Sequence, residues 1–225
     1  MNYTLIVPTA GIVEQYYRLY ELNTEADRQV QLFEGMEYVD IVKCKYVDFQ
    51  TWKNDDERIS TFVEEKNLEE FFKILNGKYH TRLKTEKIAD KLTWDELTSM
   101  SVDEFVKRCY EKTGRRAYSF ATKVFNFIDG NKYPILDSYV VTLLERYLND
   151  WEKKQCEQDK IIWNKKDWDT YDKYQRAYDD FRDKYQLKEL SYKKTDVFLW
   201  AYGSAIQKYW KDIGVLSFES VSYKQ

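Results

Sequence analysis

Apolar residues recur along most of this chain at the three- and four-residue spacing of helices that bury one face. Ile12, Tyr16, Leu19 and Tyr20 fit such a face after Gly11. Another helix is expected from about Thr24, where Glu25 and Asp27 suit the positive end of a helix dipole. Asn67 is a natural N-cap with acids behind it, opening a helix over 68–75 that Gly77 ends. Thr93-Trp94-Asp95-Glu96 and Ser101-Val102-Asp103-Glu104 both carry the capping-box pattern, in which a hydroxyl satisfies a first-turn amide while the Glu reaches back. The second box opens a helix whose Val102, Phe105, Val106, Cys109 and Tyr110 share one face, and Gly114 stops it. A central apolar helix follows, with Tyr118, Ala121, Phe125 and Ile128 aligned and Phe120, Val124 and Phe127 widening the face. Asp129-Gly130 turns the chain. From Asp137, Val140, Val141, Leu144, Tyr147 and Leu148 mark the next helix. Tyr171, Tyr174, Tyr178, Phe181 and Tyr185 form a core-facing stripe on a long one, and 195–210 is the last.

Two stretches break this rhythm. Residues 38–49, Tyr-Val-Asp-Ile-Val-Lys-Cys-Lys-Tyr-Val-Asp-Phe, are β-branched and partly alternating, and read as a short strand or an extended crossing segment. Residues 149–160 are charged and read as a loop or a frayed helix end. The fold class is therefore all-α, with at most a short strand near 38–49. The chain is one helical domain, or two interleaved lobes, a central one at about 50–140 and a second from 1–49 with 141–225.

Composition narrows this picture. Seven Gly and two Pro disfavour a turn-rich β-sandwich, and 43% apolar residues exclude a disordered chain. The 20 Tyr either cover a half-wet core, packing the ring while the hydroxyl stays solvated, or stack on bases. A net charge of −3 excludes a basic field over the whole protein, so any phosphate contact needs a local basic patch. Cys44, Cys109 and Cys156 are far apart and read as free thiols, and His80 alone cannot build a multi-His metal site, so no metal or other cofactor is expected. The first residues lack the pattern of a signal peptide and no window has the length of a membrane span, so a cytoplasmic protein without a membrane partner is expected.

The candidate chemistry lies in residues 114–140. Lys112-Thr113-Gly114-Arg115-Arg116 makes a small basic turn, the apolar helix and the Asp129-Gly130 turn follow, and Pro134-Ile135-Leu136-Asp137 delivers an acid to the start of the next helix. Read from the residues alone, Asp137 is an N-cap, a role Ser138 can share, and Arg115 and Arg116 are either a solvated loop or an anion site. That order of parts resembles the core of the helix-hairpin-helix DNA glycosylase superfamily, especially its 8-oxoguanine glycosylase branch. The resemblance implies that fold, with Asp137 near the sugar of a target nucleotide, stabilising oxocarbenium charge or activating water.

The resemblance carries further implications. In the family a Gly-rich hairpin holds a DNA phosphate through backbone amides; here only Gly114 remains, so Arg115 and Arg116, with Lys123 and Lys132, would serve phosphate instead. Pro134 and Asp137 are one residue further apart than the usual Pro-x-Asp. The position of the branch's nucleophilic Lys falls near Tyr118, with Lys123 about one turn on, which implies a monofunctional hydrolytic route rather than a Schiff-base lyase. Asp196-Val197-Phe198-Leu199-Trp200-Ala201-Tyr202-Gly203 is similar to the C-terminal stretch of bacterial proteins with an 8-oxoguanine-glycosylase-like fold, where a late helix lines the base pocket. Tyr118, Trp200 and Tyr202 are then base-pocket candidates, and core aromatics otherwise. Three Cys cannot supply the four-Cys iron–sulfur cluster of some family members. The implied function is DNA-base recognition, with monofunctional N-glycosylase action on a damaged base. The alternative is a non-catalytic helical module binding nucleic acid or protein, its glycosylase site eroded.

Overall fold

The computed structural model of the protein describes residues 5–21, 49–149 and 170–212, and no strand occurs among them. Among the described residues ten helices run in chain order: α1 Ala10–Glu21, α2 Phe49–Glu64, α3 Leu68–Lys78, α4 Thr85–Ala89, α5 Trp94–Ser99, α6 Val102–Thr113, α7 Tyr118–Ile128, α8 Ser138–Leu148, α9 Tyr171–Lys184 and α10 Tyr192–Asp212. The described part of the chain is therefore all-α. The helix expected near Thr24, residues 38–48 of the extended segment and residues 150–160 lie outside the described residues. Phe49, the last residue of that segment, opens α2.

The described residues divide into two compact units. Of the described residues, the first holds 5–21, 49–52, 137–149 and 170–212 and the second 53–136, so α2 crosses the boundary near its start.

In the first unit α1 packs on α10, α10 on α8 and α8 on α9. Gly203 permits the close approach of α8 and α10: a Cβ there would meet Tyr139 Cβ at 3.1 Å and the Tyr139 carbonyl at 3.2 Å. Tyr16, Tyr174, Tyr178 and Tyr202 are completely enclosed, with Phe181 and Phe198 among them. Most buried phenol oxygens find hydrogen-bond partners. The Tyr202 hydroxyl accepts the Ile6 N–H at 2.9 Å, and the Tyr147 hydroxyl donates to the Ile6 carbonyl at 2.9 Å, which ties the segment before α1 to α8 and α10. In the last turn of α9, the Arg182 guanidinium donates to the Lys188 and Leu190 carbonyls and lies 4.1 Å over the Tyr192 ring. That clamps the turn into α10.

In the second unit α3 packs on α4 and α7, and α6 on α4 and α7. Phe71, Phe72, Phe105, Phe120 and Phe125 form its centre, with Phe72 5.6 Å from both Phe105 and Phe120. Both expected capping boxes form: the Thr93 and Ser101 hydroxyls accept the Glu96 and Glu104 amides, and each Glu carboxylate accepts its cap's backbone N–H. Gly114 ends α6 in the left-handed region at φ 76°, which favours a residue without Cβ. α3 runs one residue past Gly77, and the left-handed residue of that turn is the exposed His80 at φ 49°. α2 carries few apolar residues; Ile59 buries, and a largely buried Lys78–Asp56 ion pair at 2.7 Å ties it to α3.

Candidate functional site

The middle of α7 is buried all round. Residues 120–126 are all buried, including the polar Thr122, Lys123 and Asn126. A helix buried all round normally carries no polar residues, so each of these must be satisfied inside. Thr122 Oγ1 accepts the Leu136 N–H at 3.0 Å, and Asn126 Nδ2 donates to the Tyr133 carbonyl at 2.7 Å. Together they clasp the Pro134 loop along α7. The turn before it is set by Asp129, whose Oδ1 accepts the Asn131 N–H and whose carbonyl accepts those of Lys132 and Tyr133.

Lys123 is 2% exposed, which corrects its expected place as a surface cation for phosphate. Its Nζ donates to Ser119 Oγ at 2.7 Å and lies 4.6 Å from the centre of the Tyr79 ring. The reason is geometric: with apolar residues widening the face of α7 to nearly the full circumference, its one ammonium is carried inside with it. Lys132, by contrast, is exposed over the Tyr133 ring at 5.0 Å, and its hydrogen bond with Tyr133 raises its pKa.

In the first unit Asp137 is the N-cap of α8. Its backbone is extended at φ −126° and ψ 152°, and Oδ1 accepts the Tyr139 N–H at 3.0 Å. The carboxyl is half-buried, and Pro134, three residues before it, cannot continue a helix from α7. Aromatic groups follow it in the same unit. Tyr139 meets Trp200 edge to face at 6.1 Å. Burial pushes the Tyr139 phenol up, the Asp137 charge adds to the rise, and the hydrogen bond with Ser204 opposes it. Deeper in, the Tyr178 hydroxyl donates to Asp196 Oδ1 at 2.8 Å and meets Thr195 Oγ1 at 3.0 Å. Burial, then the charge of Asp196, holds Tyr174 and Tyr178 well above the usual phenol range, so both stay protonated.

The other expected site residues divide sharply. Trp200 is half-exposed, whereas Tyr202 is fully enclosed, stacks on Phe198 at 5.6 Å and is bonded to Ile6, so it is a core residue and not the wall of an open pocket. Tyr118, in the second unit, is half-buried and donates its hydroxyl to Asp103. Arg115 is half-buried and its Nη1 donates to the Thr81 and Arg82 carbonyls at 3.3 and 3.2 Å. Arg116 is exposed, with its guanidinium 6.0 Å from the Tyr110 ring. Ala117, the N-cap residue of α7, supplies no side-chain cap, and the first turn of α7 carries no acid. A helix start of that kind leaves amides and the positive end of the dipole open to an anion.

Sequence reasoning missed Thr122 and Asn126, which look like ordinary polar positions on a helix. Their signal is weak: polar residues set four apart within an otherwise apolar run. It also placed Tyr110 on the buried face of α6, yet Tyr110 is 53% exposed. At roughly 100° per residue it stands about 80° round from Val102, at the margin of that face.

A polar cleft of about 520 Å³ opens by the starts of α3 and α5, walled by Trp94 and lined by Glu69, Glu86 and Asp90 against the single cation Lys66, a balance of charge that does not suit phosphate. Among the described residues no group of three or more His, Cys, Asp or Glu could hold a metal ion, and no helix is long and apolar enough to cross a membrane. No family model, curated protein or solved structure matches the chain.

Proposed function

We propose that the protein recognises DNA at a damaged base and cleaves the N-glycosyl bond by a monofunctional, hydrolytic route on a helix-hairpin-helix-glycosylase-like fold. The observation that carries this reading is Asp137. The acid opens α8 at the end of a Pro loop whose preceding residues are clasped to α7, and it stays partly open to solvent. Cleavage leaves positive charge on the sugar as the base departs, and a carboxylate held there lowers that barrier and orients the attacking water. Arg116 and Lys132, the exposed cations of residues 114–140, serve the phosphate backbone. Lys123, engaged by Ser119 inside the second unit, is a poor nucleophile for a Schiff base, so borohydride should trap no covalent DNA complex.

A specific set of contacts favours the second reading, a non-catalytic binding module with an eroded site. Lys123, Arg115, Tyr118 and Tyr202 are each engaged by the fold itself, on Ser119, on the 81–82 carbonyls, on Asp103 and on Ile6. Incubating the native protein with a panel of duplexes, each carrying one damaged base, separates the two. Excision of at least one base supports the enzyme; binding without any excision moves the conclusion to the module; neither binding nor excision removes both.

A further inference from the structure

We infer that Tyr110 is a stacking platform for an unpaired nucleobase, with Arg116 beside it to hold the adjoining phosphate. The inference rests on the DNA-binding reading above and adds to it a contact for single-stranded nucleic acid on the second unit.

The chain has 20 Tyr, and every other Tyr whose side chain is described is buried or half-buried; Tyr110 alone is exposed. A single exposed aromatic is ordinary on any surface. What distinguishes this one is its charge environment. Residues 107–116 hold Lys107, Arg108, Lys112, Arg115 and Arg116 against one acid, Glu111, within a chain of net charge −3. Most of those cations are engaged by groups of the protein itself. Arg108 donates to the Ile88 and Asp90 carbonyls, Arg115 to those of Thr81 and Arg82, Lys112 pairs with Asp90 at 3.8 Å and Lys107 with Glu111 at 4.0 Å. Arg116 is different. It meets no carboxylate among the described residues, and its guanidinium lies over the Tyr110 ring, 6.0 Å from the ring centre.

An exposed ring flanked by an uncommitted guanidinium fits a nucleotide in both its parts. The ring offers a flat apolar face to a base, and the guanidinium reaches the phosphate one step along the strand. Bases inside a duplex are already stacked on their neighbours, so the ring can take only a base that is unpaired, at an end, a gap or a single strand. Acidic partners without a flat face would use Arg116 and ignore Tyr110.

The test is binding of a labelled single-stranded oligothymidine and of a fully paired duplex at low salt, by fluorescence anisotropy. The proteins compared are the native chain, Tyr110→Ala, Tyr110→Phe and Arg116→Gln. Because Tyr110 and Arg116 are exposed, the variants should melt like the native protein. Tyr110→Ala should weaken single-strand binding about five- to a hundredfold and leave duplex binding unchanged, while Tyr110→Phe keeps both. Arg116→Gln should lower the salt slope of single-strand binding by about one. If native protein binds both DNAs and Tyr110→Ala binds the single strand equally well, the stacking role is wrong and the DNA reading survives. If native protein binds neither, both fall. If Tyr110→Ala leaves DNA binding intact but abolishes a concentration-dependent self-association seen by light scattering, the surface belongs to a second copy of the chain and the inference is overturned.

Discussion

The second unit fills its interior with phenylalanine; the first fills its own with tyrosine. Phe71, Phe72, Phe105, Phe120 and Phe125 meet ring to ring and bring no polar atom with them. Tyr174, Tyr178 and Tyr202 are as deeply buried, but Tyr178 and Tyr202 each fix a named partner, Asp196 with Thr195 and the Ile6 amide. A phenylalanine cluster is specified by volume, since any loss of shape leaves a void. A tyrosine cluster is specified also by where each oxygen ends, since a misplaced hydroxyl is an unsatisfied group. The aromatic centre of the unit that carries Asp137 is therefore fixed by hydrogen bonds as well as by volume, and the aromatic centre of the unit that carries residues 107–116 is held by packing alone.

The largest effect should come from truncating the phenylalanine centre. Phe72→Ala should cost about 3–5 kcal/mol, read by chemical denaturation. A loss well under that would mean the cluster collapses to refill the space, and volume is not what holds it.

Next come reciprocal exchanges of a single oxygen. Tyr178→Phe strips a donor from the buried Asp196 and should cost about 1–3 kcal/mol. Phe120→Tyr buries a hydroxyl among rings and should cost a similar amount, about 1–3 kcal/mol. If Tyr178→Phe is neutral, the contrast between the two interiors is only one of composition.

Much of this architecture was legible in the sequence, for reasons that can be named. Thr93 with Glu96 and Ser101 with Glu104 cap their helices as their spacing requires, because a capping box is local and needs nothing from the rest of the chain. Gly114 and Asp137 were readable as helix boundaries for the same reason. α2 was not, since its charged stretch has few apolar positions and is held by Ile59 and the Lys78–Asp56 pair, a partner 22 residues away. The burial of Lys123 and the clasp made by Thr122 and Asn126 were equally hidden. A wheel drawn from one helix cannot show that its polar side is covered by a loop that comes later in the chain. At the candidate site, the sequence pointed to Asp137 as a helix start, but the fates of Tyr202 and Arg115 depend on Ile6, Thr81 and Arg82, which no motif connects to them.

Smaller effects separate the units by pH. Removing one cap, as in Ser101→Ala, should cost about 1 kcal/mol. Its partner Glu104, like Glu96, is held below the ordinary 4.5 by the backbone amide of its cap, then by the cap's hydroxyl. A lowered folded pKa stabilises above 4.5 and that contribution is lost as pH falls through the folded value, so Glu96→Gln with Glu104→Gln should flatten the acid side of the stability curve. The phenols of the first unit run the other way. Burial raises Tyr17 to about 12 and holds Tyr174 and Tyr178 higher than the ordinary 10.0, so their contribution is present below 10.0 and is lost as pH rises beyond it. Cys109 is the second unit's alkaline-sensitive counterpart, pushed by burial from 9.0 to about 12. Hydrogen exchange resolved by unit should show the first loosening in alkali more than the second once Cys109 is replaced by Ala; equal loosening would dissolve the distinction.

The most direct test of the functional account is single-turnover excision by native protein and by Asp137→Asn, on whichever damaged-base duplex the native protein cuts, with melting curves taken on both. Asn caps a helix about as well as Asp but carries no charge. The account predicts that the variant melts with the native protein and loses base excision. A variant that melts normally and excises at the native rate would contradict it.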